Sequence, residues 1–332
     1  MTVRIGLIGA GGITNPHVKG YVARPDVAKI VAVADVDAVA ANLRAEQAGG
    51  AKVYSDFNDL IADPDVDAVD ICLPHFLHAP AILAAAKAGK HIICEKPLCL
   101  TVDEADAVTA AIDASGITLM CAHNQLYFPA VAKARELIED GTLGNVYEIR
   151  TTDSFFNNFD PANAGWRADK AKIGGGELID TGYHPTYLML FLAGQVPTQV
   201  AAMLSKHRLE FMDGEDSAQV LVRFADGKVG HIVTSWAYQA AGCTERFSVV
   251  GDDGQLWSDG TTLWVRKRGG ETEEHVFDAV ETIPAEVGDF AARIEAGTAP
   301  IHNHLDGINV LKVILGAYKS AQDSTIVTLA DL

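Results

Sequence analysis

Arg4-Ile5-Gly6-Leu7-Ile8-Gly9-Ala10-Gly11-Gly12-Ile13-Thr14 opens the chain with an apolar, β-branched run that passes directly into a glycine-rich turn. A strand that runs into G-x-G at the start of a helix lets the backbone approach a pyrophosphate, which the helix N-terminus then favours electrostatically. Thr14 stands where a third small residue is usual. The next strand-like run, Lys29 to Asp35, ends in a carboxylate about 20 residues further on, where it would accept the ribose hydroxyls of an adenosine. Asp35 could instead cap the following helix. Val36-Asp37-Ala38 follow it with no Arg or Lys to meet a 2′-phosphate, and Asp35 and Asp37 would repel one, so NAD is favoured over NADP.

Outward from this turn, short β-branched runs alternate with Ala-rich segments of helical period, the pattern of repeated βαβ units and a parallel sheet. The strand-like runs are Arg4 to Gly9, Lys29 to Asp35, Lys52 to Tyr54, Ala68 to Leu73, His91 to Cys94 and Thr118 to Ala122. Continuous apolar runs such as Ile30 to Ala34 suit strands covered on both faces. The fold class is therefore α/β, an N-terminal doubly wound parallel sheet, over residues 1–122. A helix-like stretch from Pro129 to Glu139 follows, and after Gly144 come alternating strands: Val146 to Thr152, Gln199 to Ser205, Ala218 to Phe224, Gly230 to Trp236, Phe247 to Val250 and Leu263 to Val265. Asp226-Gly227 and Asp253-Gly254 punctuate them as hairpin turns do. Residues 123–332 form an α+β domain with a mostly antiparallel open sheet, and the C-terminal helix, Asn303 to Ala321, is a candidate to pack back on the first domain.

The 332 residues suit two domains, and 48% apolar with 21% charged residues excludes a disordered chain. A formal charge of -18 with no local basic cluster argues against nucleic acid; Arg266-Lys267-Arg268 before Gly269-Gly270 suits a solvated hairpin end. No export signal opens the chain, and no apolar stretch approaches the ~20 residues of a membrane helix, so a cytoplasmic protein without membrane contact is expected. The five cysteines (Cys72, Cys94, Cys99, Cys121, Cys243) are odd in number and show no CxxC pair, consistent with reduced thiols. His302 and His304 lack a third ligand, so no metal is expected.

The candidate chemistry begins at Cys94-Glu95-Lys96-Pro97. Carboxyl ends of parallel strands face the ligand crevice, which would place Lys96 beside a nicotinamide. In Gly174-Gly175-Gly176-Glu177-Leu178-Ile179-Asp180-Thr181-Gly182-Tyr183-His184, Asp180 and His184 are spaced i, i+4, so one helical face would present both to the same cavity. Gly9 to His17, Pro74 to His78, Glu95-Lys96-Pro97 and the Gly174 to His184 run, in this order and spacing, resemble the Gfo/Idh/MocA oxidoreductase family over essentially the whole chain. The resemblance implies a Rossmann domain, a C-terminal open sheet that carries the substrate face and often the oligomer contact, and a catalytic group of Lys96, Asp180 and His184. It also implies cofactor contacts at Gly9, Gly11, Gly12, Ile13, Asp35, Leu73, Pro74, His78, Glu95, Lys96 and Asn124.

Oxidising an alcohol requires a base for the hydroxyl proton while hydride leaves the carbon. His184 is assigned that role, Lys96 stabilises charge on the same oxygen, and Asp180 orients the substrate or the imidazole; the roles of Lys96 and His184 could be exchanged. Asn124 resembles the position where the family reaches toward the nicotinamide, and Trp166-Arg167 resembles a segment lining the substrate pocket. Asp153 opens a loop (Asp153 to Asp160) whose hydrogen-bonding groups beside aromatics suit a polyol, although an ordinary polar loop explains it as well. The family often has Asp three residues beyond the histidine; here it is Tyr187. A sugar, inositol or related polyol is thus the expected substrate of a homodimer or homotetramer. The alternatives are a glycosidase acting through transient oxidation by bound NAD, and a non-catalytic dinucleotide sensor, against which Lys96, Asp180 and His184 argue.

Overall fold

The computed structural model describes residues 2–238 and 245–332; Cys243 lies outside the described residues. The chain divides into two compact units, residues 1–124 with 281–308, and residues 125–280 with 309–332. The first contains β1 (Val3–Ile8), α1 (Thr14–Val22), β2 (Ala28–Ala34), α2 (Ala38–Gln47), β3 (Lys52–Tyr54), α3 (Phe57–Ala62), β4 (Ala68–Ile71), α4 (His78–Lys87), β5 (His91–Cys94), α5 (Val102–Ser115) and β6 (Leu119–Cys121). These six strands form one parallel sheet in the order β3-β2-β1-β4-β5-β6. Ile5, Leu7, Ile8, Val69, Ile71, Ile92 and Ile93 are wholly enclosed. Burial on both faces explains why these strands are apolar throughout and do not alternate.

Gly9 makes the turn after β1 with φ +97°, and a side chain there would drive a Cβ to 2.3 Å from the Cys72 carbonyl oxygen. The strand can therefore hand over to α1 beside its neighbour only through glycine.

The second unit contains α6 (Pro129–Glu139), β7 (Val146–Ser154), α7 (Lys170–Ile173), α8 (Glu177–Asp180), α9 (Tyr183–Ala193), β8 (Pro197–Ser205), β9 (Ser217–Phe224), β10 (Val229–Ser235), β11 (Phe247–Gly251), β12 (Gly254–Ser258), β13 (Thr262–Lys267) and β14 (Thr272–Val276). Then α10 (Thr282–Ala296) belongs to the first unit, and α11 (His304–Asp323) begins there and continues into the second, which β15 (Val327–Thr328) completes. The nine-stranded sheet runs β14-β13-β12-β11-β7-β10-β9-β8-β15. Its described pairings are antiparallel except β7 with β10. On one face Ile149, Thr151, Val220, Val222, Ile232 and Val249 are buried against helices that include α9. On the other face Ala201, Leu221, His231, Arg150, Ser248, Trp257 and Trp264 stand in register across the sheet.

Strands β12, β14 and β15 and helix α10 add to the expected elements. The exposed edge strand β14 reads Thr-Glu-Glu-His-Val and so lacks apolar alternation, as edges that resist pairing do. The segment that returns to the first unit carries α10, which lies along α1 at Gly20. A Cβ on Gly20 would sit 2.3 Å from Val287 Cγ2 and 2.7 Å from the Cα of Pro284. Helix propensity alone would make Gly20→Ala stabilising by up to about 1 kcal/mol. The close approach reverses the sign, and we expect Gly20→Ala to lose about 1–3 kcal/mol in urea unfolding, as overpacked cores do. A raised denaturation midpoint would show that α10 does not press on α1.

Candidate functional site

In the first unit, the turn after β1 carries Gly11 and Gly12, and a Cβ built on either meets nothing within 4 Å, so open space lies over the turn. Helix α1 starts with no side-chain cap on Ile13 and no acidic residue in its first turn, leaving N–H groups and a positive helix end toward an anion. Thr14 is buried and its hydroxyl donates to the Gly9 carbonyl at 2.9 Å, which accounts for threonine in the third position. Asp35 accepts the Ala10 N–H at 2.6 Å on Oδ2 and the Asp37 N–H at 2.8 Å on Oδ1. Asp37, not Asp35, caps α2, accepting from Val39 and Ala40. Asp35 is thus fastened to the glycine turn and keeps lone pairs for ribose hydroxyls. An adenosine diphosphate moiety fits these residues. Arg44 on α2 was not anticipated: its guanidinium donates to the Gly11 carbonyl at 3.1 Å and to Gln47 at 2.8 Å.

The segment after β5 is held from within the same unit. His17 of α1 lies wholly buried with Nδ1 2.8 Å from Asp70 Oδ2 and Nε2 3.2 Å from Glu95 Oε1, while Glu95 Oε2 accepts the Lys96 N–H at 3.1 Å. Burial opposes a charge on this imidazole, but Asp70 and Cys72 beside it outweigh burial and raise its pKa well above the usual range. Burial likewise pushes the Cys72 thiol up to about 12. Glu286 of α10 is enclosed in the same cluster and is pushed well above the carboxylate range by burial and by Glu95. His17, Asp70 and Cys72 lie close enough to share an ion. The Nδ1–Oδ2 distance of 2.8 Å is that of a hydrogen bond. His78 is buried, its ring nitrogens 2.6 Å from the Pro97 carbonyl and 2.8 Å from that of Leu73, so it ties Leu73-Pro74 to the turn after Lys96. Asn124 donates to Thr282 Oγ1 of α10 at 2.9 Å.

In the second unit, Asp180 and His184 do not share one helix. Asp180 ends α8 and His184 is the second residue of α9, with a break at Thr181-Gly182. Pro185 causes it: proline has no N–H to give the Thr181 carbonyl, which the His184 N–H takes at 2.9 Å instead. Arg167 Nε donates to Asp180 Oδ2 at 2.9 Å, with its guanidinium stacked 4.4 Å over the Trp166 ring. His184 Nδ1 lies 2.8 Å from Tyr187 Oη, which also accepts the Gln125 N–H at 3.0 Å. Gln125 Nε2 donates to Asp153 Oδ2 at 3.0 Å, and Arg246 approaches the same carboxylate at 3.5 Å. The triple glycine admits close neighbours: a Cβ on Gly175 would fall 2.1 Å from Tyr318 Oη, and one on Gly176 2.2 Å from the Glu215 carbonyl.

Glu177, missed by motif reading because glutamate on a helix is ordinarily a surface residue, is wholly buried. The Thr234 hydroxyl contacts both Glu177 Oε1 and the Asp153 carbonyl, the latter at 2.9 Å. The hydroxyl has one proton for these two acceptors, and a neutral Glu177 would supply a second by donating to Thr234. Burial raises its pKa well above the usual range, consistent with a neutral acid.

A doubly wound unit that fits a dinucleotide, joined to an open-sheet unit carrying an Asp and a His among hydrogen-bonding and aromatic side chains, defines the class as a two-domain NAD-dependent oxidoreductase. Residues 3–123 match the oxidoreductase family NAD-binding Rossmann fold, and residues 131–257 match the Gfo/Idh/MocA C-terminal domain. The chain belongs to the Gfo/Idh/MocA family. It is 30% identical to levoglucosan dehydrogenase of Pseudarthrobacter phenanthrenivorans over 85% of this chain and 81% of that protein. It is also 30% identical to inositol 2-dehydrogenase of Rhizobium meliloti over 99% of this chain and 100% of that protein. A solved structure of levoglucosan dehydrogenase with NADH and levoglucosan superposes with a TM-score of 0.90 at 28% identity, covering 99% of this chain and 100% of that one.

The raised pKa of Glu177 has a consequence for stability. A carboxyl whose folded pKa is raised leaves stability intact below the unfolded value and costs stability as pH climbs from there toward the folded pKa. Glu177→Gln, which keeps the donor to Thr234 and cannot ionise, should match wild type near pH 4.5. Above that pH wild type should fall behind the variant by about 1.4 kcal/mol per pH unit until the folded pKa is reached. Parallel stability curves for the two proteins from pH 5 to 8 would show that Glu177 is ionised in the fold.

Proposed function

We propose that the protein is an NAD-dependent dehydrogenase that reversibly oxidises a hydroxyl of a sugar, inositol or related polyol to a ketone or lactone. What carries the reading is Asp180, held by the Trp166-stacked Arg167, together with a His184 whose ring meets Tyr187, on a chain whose Rossmann unit fits NAD. Paired polar groups next to an aromatic face suit a ligand that offers hydroxyls and C–H surfaces together. Bound NAD supplies the hydride acceptor. Lys96 and His184 act on the reacting oxygen, one taking its proton and the other holding negative charge on it, while Asp180, Asp153 and Arg167 orient the substrate. Asn124 is assigned to the cofactor and substrate edge. The four described cysteines are free and buried, which suits a reducing cytoplasm, and among the described residues no helix is long and apolar enough to cross a membrane.

The test is a panel of inositols, aldoses, anhydrosugars and sugar acids, read as NADH absorbance with NAD and with NADP. Turnover of at least one with NAD preferred is the expected result. No reduced cofactor from any of them would overturn the assignment and favour hydrolysis or sensing. On the best substrate, Lys96→Ala and His184→Ala should each lower kcat/KM by about 10²–10⁴-fold with NAD binding kept. Near-wild-type turnover in both would place the catalytic group elsewhere.

We also propose that the open sheet face joins two copies in a homodimer or homotetramer. Leu221 and Met203 are 51% and 83% exposed on β9 and β8, in a face that includes Trp257 stacked on Trp264 with ring centroids 6.2 Å apart. An apolar and aromatic sheet face left to water marks an association surface. Light scattering at micromolar concentration should give a dimer or tetramer, and Leu221→Glu should shift it toward monomer. A wild-type monomer would refute the surface.

A further inference from the structure

Arg44 stands on α2, well past the Asp37 cap, and its guanidinium spans three pieces of the first unit. Nη2 donates to the Gly11 carbonyl at 3.1 Å, while Nη1 donates to Gln47 Oε1 at 2.8 Å and lies 3.5 Å from Asn15 Oδ1 on α1. Two peptide planes of the glycine turn are held from elsewhere. The Thr14 hydroxyl and the Asp35 carboxylate fasten the plane from Gly9 to Ala10, and the Asn15 N–H donates at 3.2 Å to the Gly12 carbonyl, which belongs to the plane from Gly12 to Ile13. The plane from Gly11 to Gly12 is gripped by Arg44.

That plane has little else to fix it. Glycine at both ends leaves rotation unopposed by any Cβ, and open space lies over both residues. In a trans peptide the carbonyl of one residue and the N–H of the next point in opposite directions. Holding the Gly11 carbonyl toward α2 therefore turns the Gly12 N–H away from α2.

We propose that Arg44 is a positioning residue for the cofactor: by fastening the Gly11 carbonyl it locks the Gly11–Gly12 peptide so that the Gly12 N–H is kept as a donor for the dinucleotide's pyrophosphate. An anion at the start of a helix is held by N–H groups, and a peptide plane free to turn would present its carbonyl to that anion part of the time. Arginine suits the task because its planar fork ties one nitrogen to Gln47 while the other grips the carbonyl; a lysine in its place would be a point charge on a flexible stem. Arg44 thus acts through the backbone and not as a ligand of a phosphate. The inference rests on the dinucleotide reading of the first unit and on no substrate or step of the reaction.

The experiment is a titration of the full-length protein with NADH, followed by cofactor fluorescence in about 0.5 M salt, where the field of a distant charge is screened. Arg44→Met keeps most of the stem and removes the donors. It should bind NADH about tenfold more weakly, the loss expected for one charge-assisted hydrogen bond. NADPH should weaken by the same factor, so that the ratio of the two cofactors is unchanged. ADP-ribose, measured by displacement of NADH, should lose as much, whereas adenosine, which has no phosphate, should bind the variant and the wild type alike. Arg44→Lys should stay closer to Arg44→Met than to wild type. Unchanged NADH affinity in Arg44→Met overturns the proposal. So does a loss confined to NADPH, which would make Arg44 a ligand of the 2′-phosphate, or full recovery in Arg44→Lys, which would reduce its part to charge. An equal loss for adenosine would show a site disturbed as a whole, and it too refutes the positioning role. If Arg44→Met unfolds early in a thermal scan, Gln47→Ala decides: it frees one side of the fork, and NADH should weaken by about twofold or more with adenosine unaffected, no change being the overturning result. A wild type that binds neither NADH nor ADP-ribose would instead sink the dinucleotide reading, and this inference with it.

Discussion

One buried imidazole ties three elements of the Rossmann unit together. His17 sits on α1, its Nδ1 bonds Asp70 at the heart of β4, and its Nε2 bonds Glu95 just past β5. Taking ions out of water costs several kcal/mol apiece, so such a group persists only where each charge meets a partner. Here one imidazolium serves two carboxylates, and Glu286, the third acid of the cluster, is pushed well above its usual range by burial and by Glu95. Because Glu95 also accepts the Lys96 amide, the direction in which Lys96 leaves the strand depends on this bridge. The glycine turn at one end of α1 and the Lys96 turn are thereby held by the same helix.

Much of this was legible along the chain because the relevant signals are local. A strand, a turn with Gly9 and a carboxylate ending the next strand lie within one βαβ unit, and β-branched runs separated by Ala-rich helices leave few alternatives to a parallel sheet. Less legible were features set by contacts distant in sequence. Helix α10, some 260 residues beyond α1, carries Glu286 and Val287 into the first unit, and no periodicity in residues 282–296 announces which sheet it covers. Edge strand β14 is masked by its own charges. Glu177 looks like any helical glutamate until Thr234 and Asp153 are found around it.

The Asp180–His184 pair shows how sequence spacing can give a wrong local picture. Spacing of i, i+4 implies a shared helical face, but Pro185 withdraws the N–H that would continue the helix from Thr181, and the chain restarts at Tyr183. The pair is then positioned by side chains: Arg167 holds Asp180, and Tyr187 holds His184. In the proposed site, orientation comes from packed partners, Arg167 on Asp180 and Tyr187 with Gln125 on His184, and not from helical phase.

The choice between NAD and NADP is a similar competition at the adenosine end. Arg44 is a cation near the glycine turn and could in principle welcome a 2′-phosphate. Its guanidinium, however, donates to the Gly11 carbonyl and to Gln47. Turning to a phosphate would strip the turn of its support. Asp35 cannot turn away either, because Ala10 and Asp37 hold its two oxygens. Two like charges about 4 Å apart repel by about 1–4 kcal/mol across the range from bulk water to a protein surface, enough to separate the two cofactors by one to three orders of magnitude. A fixed carboxylate and an engaged cation together support the proposed preference for NAD.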